Sequence, residues 1–307
     1  MNISEHNREF NDSDKATVKE SSIGFLVCAI NAPMCLASLF GNAAVLTAIW
    51  KTPSLHLPEH ILLASLALTD LAVGLVVQPL FICLRIASYA GWQAFYQAIL
   101  TVYPFTVWYL CGVSFLTVTT ITVDRFLALK LHLRYHVAVT HARVSLVVAL
   151  IWTVNGCISS MRLWNRKTFY LTVAATTLLC LSGSFAAYWR IFRVVRRHQA
   201  LIHCQVSVNE RGKHHRMISQ LKKSIWNTFY VYCIFFFCYT PHVSFTVVSF
   251  VMERWWLPIV GDFTSTVVFL NSTINPLLYC WRAREIRNAV KHVFSRLHCK
   301  LQDCNNN

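Results

Sequence analysis

The stretch ILLASLALTDLAVGLVVQPLFICL at residues 61–84 contains a single charged residue, Asp70. A helix needs about 20 apolar residues to cross the hydrocarbon core of a bilayer. The stretch is long enough to do so and predicts a transmembrane helix with one acid near its middle. An ionisable group at that depth costs about 3 kcal/mol or more unless it pairs or meets water, so Asp70 is a candidate functional residue.

Six further stretches of similar length and composition accompany this one. The seven predicted spans cover residues 23–50, 61–84, 94–123, 144–161, 168–189, 224–252 and 263–281. Charged residues make up 13% of the 307-residue chain, against about 25% in a soluble domain. Hydrophobic residues make up 55%, and the mean hydropathy is +0.46. The sequence therefore predicts an all-α membrane protein, with a seven-transmembrane helix bundle at residues 23–282.

The basic residues predict the orientation of the bundle. Twenty of the 28 Lys and Arg residues lie on the side that carries the first loop, the loop after the third span, the loop after the fifth span and the C-terminal tail. Short cytoplasmic loops collect such residues, so we expect a multi-pass plasma-membrane protein with an extracellular N-terminus. The net charge of +15 is then a topology signal and does not indicate a nucleic-acid partner.

The two ends of the chain carry predictions of their own. Residues 1–22 are predicted to be a flexible extracellular segment, glycosylated at the sequons of Asn2 and Asn11. Residues 283–298 alternate apolar and basic positions at helical spacing, which predicts an amphipathic helix on the membrane surface. Residues 299–307 would form a cytoplasmic tail, in which Cys299 is either a palmitoylation site or a free thiol.

Short motifs recur along the spans in a fixed order. They are Gly41-Asn42, Leu66-Ala67-Leu68-Thr69-Asp70, Asp124-Arg125-Phe126, Trp152, Tyr188, Phe235 with Cys238-Tyr239-Thr240-Pro241, and Asn275-Pro276-Leu277-Leu278-Tyr279. In this order the chain resembles the rhodopsin-like (class A) G-protein-coupled receptors along essentially its whole length after the N-terminal segment. The resemblance implies a signalling receptor that activates heterotrimeric G proteins at its cytoplasmic face and is also compatible with arrestin. No catalytic residue and no enzymatic activity are predicted.

The resemblance also implies roles for single residues. Asp124 would hold Arg125 at rest, and Arg125 would contact the G protein once the sixth span moves outward. Tyr188 and Tyr279 would then support the open state. Asp70, Ser114, Asn271 and Asn275 would hold a sodium ion, which is the one cofactor implied. Leu221, Lys222 and Lys223 leave no acid at the base of the sixth span, so we expect weak restraint of Arg125 and raised basal activity.

The departures from the family concern the ligand. The second outer loop is short and has no cysteine, and we expect no disulfide between outer loops. This pattern is most similar to the melanocortin, adenosine, lysophospholipid and cannabinoid branch, but the ligand signatures of these receptors are missing, as in an orphan receptor. Val107 stands where amine receptors place an aspartate, and Phe269 stands where opsins place the retinal lysine.

The expected ligand is accordingly a small lipid-like, nucleoside or peptide molecule. The predicted pocket consists of Val107, Trp108, Cys111, Tyr239, His242, Thr246, Ser265 and Phe269. Basic residues at the outer ends of the spans, Arg85 among them, favour an anionic or lipid-like ligand.

Three other functions fit seven spans. A secondary transporter would show internal repeats, and none is visible. A metal-dependent membrane hydrolase would need clustered His and carboxylate ligands, whereas His214-His215 has no companions at metal spacing. A seven-span protein that has kept the architecture without G-protein coupling is the third alternative.

Overall fold

The computed structural model describes the backbone of residues 3–131, 134–205, 208–251, 257–282 and 284–305. Side chains are described for most of residues 22–131, 134–194, 229–249, 257–281 and 284–293. Over these ranges the chain is all-α, and seven helical segments are long and apolar enough to cross a membrane. The predicted fold class is confirmed.

The helices follow the order of the predicted spans. They are α1 Ile3–Lys51, α2 Pro58–Ala72, α3 Gln78–Tyr89, α4 Gln93–Leu131, α5 Tyr135–Ala138, α6 His141–Trp164, α7 Arg166–Gln205, α8 Val208–Val251, α9 Leu257–Arg282 and α10 Arg284–Asn305. A 3-10 turn, Pro53–Leu55, lies between α1 and α2.

Several helices run past the apolar spans. The first helix begins at Ile3, where a flexible segment was expected, and residues 3–22 contain neither Pro nor Gly to interrupt it. The fifth and sixth spans likewise continue into the basic loop between them. The helix after the seventh span extends to Asn305, past the predicted end at residue 298.

The second span is one continuous helical rod with a π turn, Val73–Val77, joining α2 to α3. A π turn inserts about one extra residue, so it rotates the side chains that follow by about 100°. α1 packs closely here: Cys35 Sγ donates to the Gly74 carbonyl at 3.0 Å, and Ser38 Oγ donates to the Asp70 carbonyl at 2.9 Å. A Cβ on Gly74 would lie 3.0 Å from the Leu39 nitrogen, so glycine permits this contact.

Buried side chains form three clusters. The inner hydrophobic cluster joins Leu66, Val118, Phe235 and Tyr279 to Ile286 of α10, so the apolar stripe of α10 packs on the bundle. The outer cluster contains Val27, Val77, Phe81, Val107 and Phe269 among others. A third, smaller cluster joins Leu129 to Tyr188 and Ile191 between α4 and α7.

A single residue, Asn165, connects α6 to α7 at the outer surface. Its side-chain oxygen accepts a hydrogen bond from the Thr168 backbone N–H at 3.0 Å, which caps the first turn of α7. The nine cysteines whose side chains are described are all free thiols.

Candidate functional site

Arg125, near the cytoplasmic end of α4, forms ion pairs with two acids. Its Nη2 lies 2.7 Å from Asp124 Oδ2 and also contacts Glu59 Oε2. Asp124 was expected, whereas Glu59 was not. The expectation of weak restraint considered only the sixth span, and here the second span supplies an additional acid beside Arg125.

Local structure explains how Glu59 reaches this position. Pro58 starts α2, and Glu59 lies in its first turn, where the positive end of the helix dipole favours an acid. The packing of α2 against α4 brings this turn beside Arg125. Sequence analysis missed Glu59 because it precedes the apolar span by two residues.

Tyr135 on the short helix α5 completes this cluster. Its hydroxyl donates to Asp124 Oδ1 at 2.8 Å, so the two oxygens of Asp124 serve Tyr135 and Arg125 separately. Burial, together with the hydrogen bond to the Asp124 carboxylate, raises the pKa of Tyr135. The phenol thus stays protonated and remains a donor. We refer to Glu59, Asp124, Arg125 and Tyr135 as the inner cluster.

The other two predicted switch residues lie apart from this cluster. Tyr188 is buried, and its hydroxyl is 3.3 Å from Thr122 Oγ1 of α4. Its ring packs against Phe229 and Tyr232 of α8. Tyr279 is buried in the inner hydrophobic cluster, and its hydroxyl has no hydrogen-bond partner within the described part of the chain.

Asp70 lies in a polar centre within the inner half of the bundle. Its Oδ2 accepts a hydrogen bond from Asn275 Nδ2 at 2.7 Å. Among the residues whose side chains are described, Asp70 Oδ1, Asn275 Oδ1 and both polar atoms of the Asn271 side chain have no hydrogen-bond partner. Ser114, expected here, instead donates to Thr69 Oγ1 at 2.8 Å.

Unpartnered buried oxygens are costly, and they provide the donor set that a small hard cation prefers. Asn271 and Asn275 lie one turn apart on the same face of α9, so their amides point the same way. The residues therefore fit a sodium ion in the donor set of Asp70, Asn271 and Asn275, whereas the hydroxyl proton of Ser114, the fourth predicted member, is donated to Thr69.

A cavity of about 280 Å³ lies in the outer half of the bundle between α4, α6, α7 and α8. Three predicted pocket residues line it, namely Trp108, Cys111 and Tyr239. The lining also includes residues that were not predicted: Gly112, Phe115, Asn155, Ser159, Phe169 and Thr177 among others. Asn155 could have indicated this cavity from the sequence, since it is a polar side chain in the middle of the fourth span.

The other five predicted pocket residues do not line this cavity. Val107 and Phe269 are buried in the outer hydrophobic cluster. Ser265 and Thr246 each donate to a backbone carbonyl one turn earlier in their own helix. His242 is 3.2 Å from Thr264 Oγ1, and its ring packs at the edge of the cavity, 6.0 Å from that of Trp108.

The outer basic residues are partly engaged within the protein. Arg85 of α3 forms an ion pair with Asp262 of α9, and its guanidinium also lies over the Phe81 ring. Arg162 donates to the Tyr170 hydroxyl at 2.7 Å. These contacts remove much of the free positive charge on which the preference for an anionic ligand was based.

Other predicted residues lie outside the described part of the chain. Asn2 has no described backbone, and the side chains of Asn11, Leu221, Lys222, Lys223 and Cys299 are not described. Glycosylation and palmitoylation stay predictions.

Comparison with known proteins agrees with this arrangement. Residues 41–170 match the family model for the 7 transmembrane receptor (rhodopsin family). The chain is 26% identical over 295 residues to the histamine H2 receptor of Canis lupus familiaris, covering 84% of this chain and 76% of that protein. It is 25% identical over 304 residues to the histamine H2 receptor of Cavia porcellus, covering 88% and 79%.

Proposed function

We propose that the chain, which is similar to the rhodopsin (class A) family of G-protein-coupled receptors, is a receptor of that family in which a small uncharged ligand in the outer cavity controls the inner cluster. The similarity supports a multi-pass plasma-membrane receptor that signals through a heterotrimeric G protein. The observation that carries the proposal is the double ion pair of Arg125 with Asp124 and Glu59, which restrains the residue expected to contact the G protein.

A column of aromatic rings connects the cavity to the inner half of the bundle. Tyr239 lines the cavity and stacks on Phe235 with ring centroids 4.0 Å apart. Phe235 packs against Phe115 of α4 and belongs to the inner hydrophobic cluster with Tyr279. A ligand that shifts Tyr239 would therefore shift α8 relative to α4, and packed cores pass such a shift on because they do not deform continuously.

The ligand we propose is not an amine, although the relatives are named for histamine. No Asp or Glu is among the residues lining the cavity, so an ammonium group would be buried without a counter-charge. Val107 lies in the hydrophobic cluster, and Asp262 already pairs with Arg85. Of the lipid-like, nucleoside and peptide classes, an uncharged lipid-like molecule best suits this mostly apolar lining.

Sodium belongs to the same proposal. Asp70, Asn271 and Asn275 would hold the ion, which would supply positive charge to a buried carboxylate. A cation there would favour the resting packing of α2 against α9, since it uses oxygens from both helices. Arrestin is a further proposed partner of the inner face.

The experiment is ligand-free nucleotide exchange on a panel of heterotrimeric G proteins with purified receptor in nanodiscs. The Glu59→Gln form loosens the restraint and should drive exchange on one G-protein family. Adding Arg125→Ala to the Glu59→Gln form should abolish that exchange. Adding Arg196→Ala, which replaces an exposed arginine of α7, should change the exchange rate of the Glu59→Gln form by less than about twofold. If a correctly folded Glu59→Gln form activates no G protein, the coupling proposal is wrong.

A further inference from the structure

The outer end of the cavity on the α7 side is covered by packed rings. Phe169, the outermost α7 residue of the lining, has no exposed surface. Its ring packs edge-on against Trp108 and Tyr170, with centroids 5.5 and 5.2 Å away. Arg162 lies over the Tyr170 ring and donates to its hydroxyl. A ligand entering from water along this side would have to displace this aromatic cover.

The cavity is open on a different side. Leu178 of α7 and Val247 of α8 line it, yet they are 68% and 54% exposed. Thr240 and Ser244 of α8 are also both lining and exposed. These residues lie within the membrane-spanning parts of the two helices, Arg166–Val194 and Phe229–Ser249. The mouth between α7 and α8 therefore faces lipid.

The position of the mouth follows from how the two helices meet. Towards the cytoplasmic side, α7 and α8 are joined by aromatic rings, in which Phe192 packs on Trp226 and Phe229, and Tyr188 packs on Phe229. Towards the outside, the lining positions are small or aliphatic, such as Ala174, Val243 and Ser244. These small side chains leave an opening between α7 and α8, whereas at the cytoplasmic end the large aromatic rings fill the corresponding space.

The interior of the cavity selects against charge. No Lys, Arg, Asp or Glu lines it, and its walls are mainly aliphatic and aromatic. A few uncharged polar groups converge on it, including Asn155, Ser159 and Thr176. Such a surface suits a molecule with an uncharged hydrogen-bonding group and a hydrocarbon portion, because a charged group would be desolvated without a partner.

We propose that the ligand is an uncharged amphiphile that enters from the outer leaflet through the mouth between α7 and α8. Its polar group would reach Asn155 and Ser159, and its hydrocarbon portion would remain in the mouth between Leu178 and Val247. A cavity of about 280 Å³ holds the polar end of a single-chain lipid while the rest stays in the bilayer. This inference rests on the proposed receptor function and specifies its ligand class and route.

The test uses photoreactive lipids in nanodiscs that contain the full-length receptor. The probe is a monoacylglycerol with a diazirine in its glycerol-proximal chain and a terminal alkyne, compared with the anionic fatty acid of the same chain. After illumination, adducts are mapped by peptide mass spectrometry. Asn155 and Ser159 are only 6% and 1% exposed, so adducts on them report entry into the cavity and not contact with bulk lipid.

We expect the neutral probe to label the Asn155 and Ser159 region about tenfold more than the anionic probe, equivalent to about 1.4 kcal/mol. Leu178→Trp and Val247→Trp should block the mouth and lower this labelling about tenfold as well. Leu179→Trp and Val248→Trp are matched controls, because these exposed neighbours on the same helices do not line the cavity. The controls should leave labelling unchanged.

Two results would overturn the inference. Adducts confined to outward-facing residues such as Leu179 and Val248 would show that lipid does not enter. Labelling that both tryptophan plugs leave intact would show that the route lies elsewhere. Nucleotide exchange driven by the Glu59→Gln form in the same nanodiscs separates the two proposals. If exchange occurs but the cavity is not labelled, only the lipid route is rejected. If no exchange occurs, the proposed receptor function is rejected as well.

Discussion

Glu59 in the first turn of α2 and Arg125 near the end of α4 form an ion pair at the cytoplasmic face, with side chains 33% and 17% exposed. A pair this accessible to solvent is worth modest free energy, because water and salt screen it. Modest strength suits a contact that, in the proposed mechanism, breaks when the sixth span moves. Asp124 and Tyr135 add hydrogen bonds that keep the pair in one geometry.

Glu59→Gln should raise ligand-free nucleotide exchange about fivefold over wild type, since it removes one of two acids at a cost of about 1 kcal/mol to the resting state. Tyr135→Phe should raise exchange less, because Asp124 remains charged. Glu285→Gln removes an exposed acid from α10 and serves as the control. Equal rates for Glu59→Gln and Glu285→Gln, at matched surface expression, would contradict a restraining role for Glu59.

Sodium should stabilise the wild-type receptor through Asp70. Replacing choline chloride with sodium chloride at constant ionic strength should raise the thermal midpoint by about 2–4 °C, as expected for a ligand that binds only the folded state. Asp70→Asn should abolish the difference between the two salts. A sodium effect of equal size in Asp70→Asn would assign it to another site.

Gly112→Ala should destabilise the bundle, whereas Gly183→Ala should not. A Cβ on Gly112 would collide with the amide of Asn155, which donates to the Tyr109 carbonyl at 2.5 Å and therefore has little freedom to move. Overpacking of this kind costs about 1–3 kcal/mol. A Cβ on Gly183 meets nothing within 4 Å, and alanine favours helix there. Thermal unfolding of both variants in the same detergent measures the contrast.

The pair of Arg85 with Asp262 should behave as a coupled unit. Arg85→Leu leaves the carboxylate of Asp262, which is 4% exposed, without its cation, and should lower surface expression and thermal stability. Asp262→Asn should also be harmful, and the double variant should be less harmful than the sum of the two. Additive losses in this double-mutant cycle would indicate that the two residues act independently.

The spans and the Asp70 centre could be predicted because each follows from a local pattern. Uninterrupted apolar length predicts a span, and the spacing of Asn271 and Asn275 predicts a shared face. Glu59 could not be predicted from its own surroundings, since its importance depends on which helix packs beside it. Ser114 was expected to bind the ion with Asp70, but its hydroxyl donates to Thr69, the residue before Asp70 on α2.

The cavity was the least predictable feature for a related reason. Val107 and Phe269 occupy positions that bind ligands in other receptors. Here both side chains are apolar and are buried in the same hydrophobic cluster. The space instead depends on small residues along α7 and α8, and the sequence does not say which faces of those helices meet. Trp108 and Tyr239 were identifiable because large aromatic side chains with polar atoms are common in binding sites.

The one-residue link at Asn165 also limits how α7 can move relative to α6. It ties the outer end of α7 to α6, so the helix can tilt about that point more readily than it can slide. With 40 residues, α7 is a rod of about 60 Å, and a tilt of about 5° carries its far end about 5 Å. Tyr188 and Phe192 lie far from Asn165 along this helix. A ligand that shifts α7 slightly near Asn165 would therefore shift the cytoplasmic end of α7 by several times as much. The one-residue outer connection therefore fixes the point about which the 40-residue α7 tilts.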